Sequence, residues 1–308
     1  MLLKGVNMFR RILLPLDGSE LSETALPYGE ELASKLGSEV ILYHVNEHEH
    51  SQQEHMHQMY LDRLADTVKH NISKGQPKVK KVKVTTKVET GEPKENICNL
   101  VDKNKVDLII MAAVSVSGLK VGKMLGSVTD HICQMVPIPV MLIRPQSVKQ
   151  TDKKKQLVNH ILIPLDGSGL SKLALPIGEE LAIKLKVDAT LFRMANQIRF
   201  YDDGTGSGTY AYFDYTKLNE DEKKRVSTDM IALEKELKEK GLDVTSIVTS
   251  GFDAASEIIE VCKKMGIDLV VMSTHGQSGL DRWVFGSVAE KVLRHGETPL
   301  LLVHARTG

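Results

Sequence analysis

Straight after the apolar run Ile267 to Met272 the chain reads Ser273-Thr274-His275-Gly276-Gln277-Ser278-Gly279, and a little further on Gly286-Ser287-Val288-Ala289-Glu290. Glycines that follow a strand let the backbone come close to a ligand, since no Cβ stands in the way. Gly286-Ser287 leads into a helical pattern with Glu290 three residues after the serine, a capping-box spacing. A helix start of this kind offers free N–H groups and the positive end of the helix dipole, for which phosphate is the natural occupant. The loop is neither a GK[ST] phosphate loop nor a GxGxxG fingerprint. A plainer reading stays open, in which the glycines only turn the chain and Ser287 only caps the helix. Asp166, at the end of another apolar run, is the second residue of interest, and His275 is the one acid or base in the loop suited to proton transfer.

The elements that must carry these residues occur twice. Arg11 to Leu36 returns as His160 to Leu185 at a constant offset of 149, with 19 of 26 positions identical. A repeat of this size is a domain rather than a solenoid unit, and 308 residues suit two domains. The expected boundaries are residues 8–145 and 158–305, joined by a polar linker at 146–157 that carries Lys153, Lys154 and Lys155.

Each copy opens with a continuous apolar run ending in aspartate, Ile12 to Asp17 and Ile161 to Asp166. Such runs suit strands buried on both faces of a parallel sheet. Ser19 and Ser168 are expected to cap the helices that follow, and Pro27 and Pro176 to kink or restart them. Further strands are expected at Val40 to Val45, Val82 to Glu89, Val106 to Met111 and Pro139 to Ile143. Their counterparts are Ala189 to Met194, Val244 to Thr249, Ile267 to Met272 and Pro299 to Val303. Alternating strands and helices predict an α/β chain of two doubly wound, Rossmann-like domains, each a five-stranded, mainly parallel sheet with helices on both faces. Ligands of such sheets sit beyond the carboxyl ends of the strands.

Composition narrows the function. Forty basic and forty acidic residues leave no net charge, so neither nucleic acid nor an anionic membrane is an expected partner. Cys98, Cys133 and Cys262 form no CxxC pair and read as reduced thiols, and no apolar run reaches the length of a spanning helix. A cytoplasmic location is expected.

The combination of PLDGS, STHG and GSVAEKV resembles the universal stress protein family in its tandem form. Nucleotide-binding members of that family carry Gly-x2-Gly-x9-Gly-Ser/Thr after the fourth strand and an aspartate ending the first. Nine residues separate Gly276 from Gly286, Ser287 follows, and Ser273 stands at the place of the first glycine. The resemblance implies that Pro164, Asp166 and Met194 hold adenosine. It gives the ribose and phosphates to Ser273, His275, Gly276, Gly286, Ser287 and Val288, and counts Met272 among the nucleotide-binding residues. It also implies that the two halves pack as a pseudo-dimer through their last strands, with further homodimerisation open.

In the first copy, MAAVSVSGLKVGKMLGSV puts Ala112 and Ser115 in place of Ser273 and Gly276, with an extra residue before Gly126. Asp17, Gly126 and Ser127 survive and could form a weak second site. Two insertions differ between the copies. His48, His50, His55 and His57 read as a solvated stretch leading into a helix, with no bound metal expected, because i,i+2 spacing does not share a helical face. The aromatic, Gly-rich tract 200–215 reads as a lid, a partner contact or a tethered loop. The expected function is a stress-response binding or regulatory module for ATP, ADP or AMP, with or without Mg²⁺, its downstream partner unnamed by the sequence. A nucleotide hydrolase of the same fold and a scaffold with an empty site are the alternatives. No catalytic residue is assigned.

Overall fold

The computed structural model describes residues 8–47, 51–75, 82–113, 125–144, 156–197, 215–275 and 285–304. The first half runs β1 (Arg11–Pro15), α1 (Glu20–Glu23), α2 (Leu26–Leu36), β2 (Glu39–Asn46), α3 (Ser51–Gly75), β3 (Val84–Thr90), α4 (Pro93–Asn104), β4 (Leu108–Ala112), α5 (Ser127–Met135) and β5 (Val140–Ile143). The second runs β6 (His160–Pro164), a 3₁₀ turn (Ser171–Leu173), α6 (Ala174–Leu185), β7 (Asp188–Asn196), α7 (Tyr215–Glu239), β8 (Val244–Gly251), α8 (Ala254–Met265), β9 (Leu269–Ser273), α9 (Ser287–His295) and β10 (Leu300–Val303).

The ten strands of the described residues form one sheet, ordered β3-β2-β1-β4-β5-β10-β9-β6-β7-β8. Within each half every pair is parallel, and the halves join through the antiparallel pair β5 and β10. Ile12, Leu13, Ile161 and Leu162 are fully buried, as strands covered on both faces require. One core cluster lies under α2, α3, α6 and α7 and runs across both halves. The other lies under α4, α5, α8 and α9.

Ser19 Oγ accepts from Ser22 N as the cap of α1, and Ser168 Oγ accepts from Ser171 N at 3.0 Å. Pro27 does not kink a helix. It sits in the first turn of α2, where its missing N–H costs nothing, so it restarts the chain after α1. Gly178 lets α6 lie close on the sheet, because a Cβ there would stand 2.4 Å from Ile163 Cδ1.

The contact between the halves is reciprocal. Leu300 faces Leu142, Leu301 faces Met141 and Leu302 faces Val140, so equivalent residues exchange places as across a twofold axis. Glu31 on α2 accepts from the N–H groups of Leu157 (2.6 Å) and Val158 (3.1 Å), and its counterpart Glu180 on α6 accepts from Met8 N at 3.1 Å. Burial pushes the Glu31 carboxyl upward, and these two hydrogen bonds only partly oppose it.

His304, just beyond β10, reaches into the first half, with Nδ1 3.1 Å from Ile138 O and Nε2 2.6 Å from Cys133 O. Burial, reinforced by His275, pushes its pKa below the ordinary value, although both carbonyls favour the cation. The fold therefore resists protonation of this ring. Above about pH 6.5 both folded and unfolded rings are neutral and the stability is intact; as the pH falls below that, the unfolded chain takes up the proton first and stability drops. Urea denaturation between pH 7.5 and 5 should show His304→Gln with a shallower acid loss than the parent, the difference staying within about 1.4 kcal/mol per pH unit for one proton.

Candidate functional site

In the second half the strand order changes direction at β6, which pairs with β7 on one side and β9 on the other. A cavity of about 310 Å³ opens at the carboxyl ends of these strands. That is the crevice where doubly wound sheets take their ligands. Its wall is laid down mainly by five elements. Pro164, Leu165 and Asp166 come from the end of β6, and Phe192, Met194 and Asn196 from one face of β7. Ala254 and Ile258 come from α8, while Met272 to His275 and Gly286 to Ala289 come from the end of β9 and the start of α9.

The turn after β6 is built by its own side chains. Asp166 Oδ1 accepts from Ser168 N at 2.8 Å, and Ser171 Oγ accepts from Asp166 N at 3.3 Å. Gly167 has φ +85°, and a Cβ there would meet Arg193 Nη2 at 2.4 Å, so glycine answers both the backbone and the packing at this corner. The guanidinium thus covers the turn that presents Asp166.

The other side of the cavity is pinned at its base. Gly286 N donates to Thr274 O at 2.8 Å, and Thr274 N donates to Val303 O at 2.9 Å, which fixes both ends of the intervening loop on the sheet. His275 N donates to Ser273 Oγ at 3.3 Å, and His275 Nδ1 lies 3.0 Å from Thr274 Oγ1. Ser273 and Thr274 are buried. Gly276, and the segment 276–284 with it, lies outside the described residues.

At the start of α9 the structure corrects one expectation. Gly286, with φ −60° and ψ 144°, is the N-cap residue and makes no side-chain cap bond; Ser287 is the first helical residue. Glu290 does not close a capping box, because its carboxylate binds Arg294 one turn on, with Oε1 2.9 Å from Nη2. With no side chain spent on capping, the first-turn N–H groups are left to whatever enters the cavity.

Nine residues singled out from sequence, Pro164, Asp166, Met194, Met272, Ser273, His275, Gly286, Ser287 and Val288, line this one cavity. Sequence reasoning passed over Phe192 and Asn196, which share the β7 face of Met194 at i±2; the strand period alone could have found them. It also passed over Ile258, whose apolar helical position is indistinguishable from core in a single sequence.

The first half keeps part of this pattern. Asp17 Oδ1 accepts from Ser19 N at 2.9 Å and from Ser19 Oγ at 2.6 Å. Burial pushes the Asp17 carboxyl up, but hydrogen bonds from Ser19 and Ser22 outweigh it and hold the pKa below the ordinary value. Gly126 caps α5 with φ −62° and ψ 147°, almost the geometry of Gly286, and Ser127 follows as the first helical residue. Tyr43 stands where the second half has Phe192, and its hydroxyl donates to Glu89 at 2.5 Å. A carboxylate is thereby brought to the side that is apolar in the second half. The loop at 114–124 lies outside the described residues.

Two five-stranded parallel halves, each with a PLDGS turn beside a helix start after its fourth strand, define a tandem α/β protein with its ligand crevice at the strand switch point. The chain belongs to the universal stress protein family, whose model matches residues 8–144 and 158–304. Universal stress protein MJ0531 of Methanocaldococcus jannaschii is 31% identical over 153 residues, covering 48% of this chain and 84% of that protein. Universal stress protein YxiE of Bacillus subtilis is 28% identical over 148 residues, covering 48% of this chain and 99% of that one. The crystal structure of a universal stress protein from Archaeoglobus fulgidus covers 96% of this chain and 98% of its own at 18% identity, with a TM-score of 0.66, which is a likeness of fold. No helix among the described residues is long and apolar enough to cross a membrane.

Proposed function

We propose that this chain is a stress-response binding module that takes ATP or a related adenine nucleotide, with the second half as its main site. The observation that carries the reading is the cavity itself, which offers two chemically different ends. Phe192, Met194 and Ile258 form an apolar wall suited to a flat base. The start of α9, with Ser287 and Val288, supplies N–H donors and the positive end of a helix dipole suited to phosphate. Asp166, between Pro164 and Ser171, is placed to orient the nucleoside. Membership of the family adds to this reading without replacing it.

The module binds without rapid turnover. Asp166 is the one carboxylate among the described lining residues, and its Oδ1 is already engaged by Ser168 N. The described lining residues include no pair of carboxylates to fix Mg²⁺ and align an attacking water, so in this reading Mg²⁺, where present, enters with the phosphates. His275 acts as a hydrogen-bond partner at the phosphate end. In calorimetry one nucleotide should bind per chain, with affinity reduced by Asp166→Ala, and turnover with Mg²⁺ should stay well below the roughly 1 s⁻¹ at the slow end of ordinary enzymes. Rapid saturable hydrolysis that disappears in His275→Ala would make the chain a hydrolase instead. Absence of any nucleotide binding would leave a scaffold.

A further inference from the structure

The chain has a second cluster of side chains suited to ligand chemistry, in the first half and away from the cavity. His57 on α3 turns its Nδ1 onto Nε2 of His44, which lies near the end of β2. The ring centroids are 4.0 Å apart and the planes are inclined by 45°. The other nitrogen of His44, Nδ1, lies 2.8 Å from Leu16 O. A carbonyl only accepts, so Nδ1 carries the proton and Nε2 presents its lone pair toward His57. One ring nitrogen held by a backbone carbonyl and the other left as a donor atom is the arrangement found in metal-binding histidines.

The second half shows what this position otherwise does. Arg193 is the repeat counterpart of His44. The buried residues Leu61, Ala65 and Ile72 of α3 have the same spacing as Val226, Met230 and Leu237 of α7, which sets Glu222 opposite His57. There the pair is cation and anion: Arg193 acts electrostatically on Glu222 and lies 3.6 Å from Asp229. In the first half both members have become imidazole, while Asp17 remains near enough to act on His44. Charge complementarity is lost, yet the two rings still converge on one another.

We propose that His44 Nε2 and His57 Nδ1 are the protein ligands of a late first-row divalent transition-metal ion, held beside Asp17 with water completing its shell. Imidazole pairs suit zinc, copper and nickel. Two Zn–N bonds of about 2.0–2.1 Å in a tetrahedron span roughly 3.3 Å between nitrogens, so the two rings, in direct contact here, must move apart to admit the ion. Among the described residues no group of three or more His, Cys, Asp or Glu converges to hold a metal, so the site is a two-histidine one of moderate affinity.

The test is zinc titration of the full chain without an affinity tag or nucleotide, by competition with a fluorescent chelator. One equivalent should bind, and zinc should raise the melting temperature. His57→Gln, at a half-buried position, should weaken binding at least tenfold and remove the zinc-induced rise while leaving the far-ultraviolet spectrum unchanged. Joint replacement of His48, His50 and His55 by Gln should leave binding unaltered. Binding that survives His57→Gln, binding lost in the triple variant, or no binding by the parent chain would each overturn the site and leave an ordinary imidazole hydrogen bond. None of these outcomes bears on nucleotide binding, which rests on the other half.

Discussion

Gly286→Val is expected to weaken ATP binding by about 100-fold or more, a loss of roughly 2.7 kcal/mol, while the protein stays folded. Gly286 sits at the N-cap of α9 with φ −60° and ψ 144°, extended backbone that valine adopts without strain. Its N–H is already bonded to Thr274 O, so the backbone at this point is fixed and cannot retreat from an added side chain. Because Gly286 lines the cavity beside the first-turn N–H groups, an isopropyl group there is expected to crowd an approaching phosphate. Gly126→Val is the matched control, since Gly126 caps α5 with nearly identical dihedrals. Calorimetry should show the first variant losing ATP and the second keeping it. Equal losses in both would sink the assignment of the main site to the second half.

Met141→Asp should destabilise the whole chain by at least about 4 kcal/mol, the range reserved for a charge placed in a packed core. Met141 is fully buried, and it faces Leu301 across the antiparallel pair that joins the halves. A carboxylate at this fully buried position is either held charged in an apolar setting or forced to take up a proton. Met141→Leu keeps volume and polarity and should cost less than about 1.5 kcal/mol. Urea denaturation of the three proteins decides it. A small effect of the aspartate would mean that the halves part at β5 and β10 without loss of either core.

Much of this molecule is legible in its sequence because the relevant physics is local. Continuous apolar runs such as Ile12 to Leu14 and Ile161 to Ile163 suit strands covered on both faces, and that is what they form. Small residues after such runs mark the turns that present Asp17 and Asp166, and the duplication shows where the second domain begins. The expected strands lie within a few residues of the observed ones, and the ends drift because hydrogen bonding to neighbours, not residue type, decides where pairing stops. Ser287 shows the limit of local reading. Its spacing from Glu290 mimics a capping box, but Glu290 has a nearer partner in Arg294, and the chain enters the helix at Gly286.

What the sequence by itself determined is therefore the pair of α/β units, the family, and the residues at the ends of strands that could meet a ligand. Only the tertiary structure decided what those residues stand next to. It brought Ile258 into the same wall as Met194, passed Arg193 over the turn at Gly167, and turned His57 onto His44. It also merged the two sheets into one by setting Met141 against Leu301. Each of these contacts joins different elements, and its geometry is fixed by how helices and strands pack on a shared sheet, for which residue spacing carries no signal.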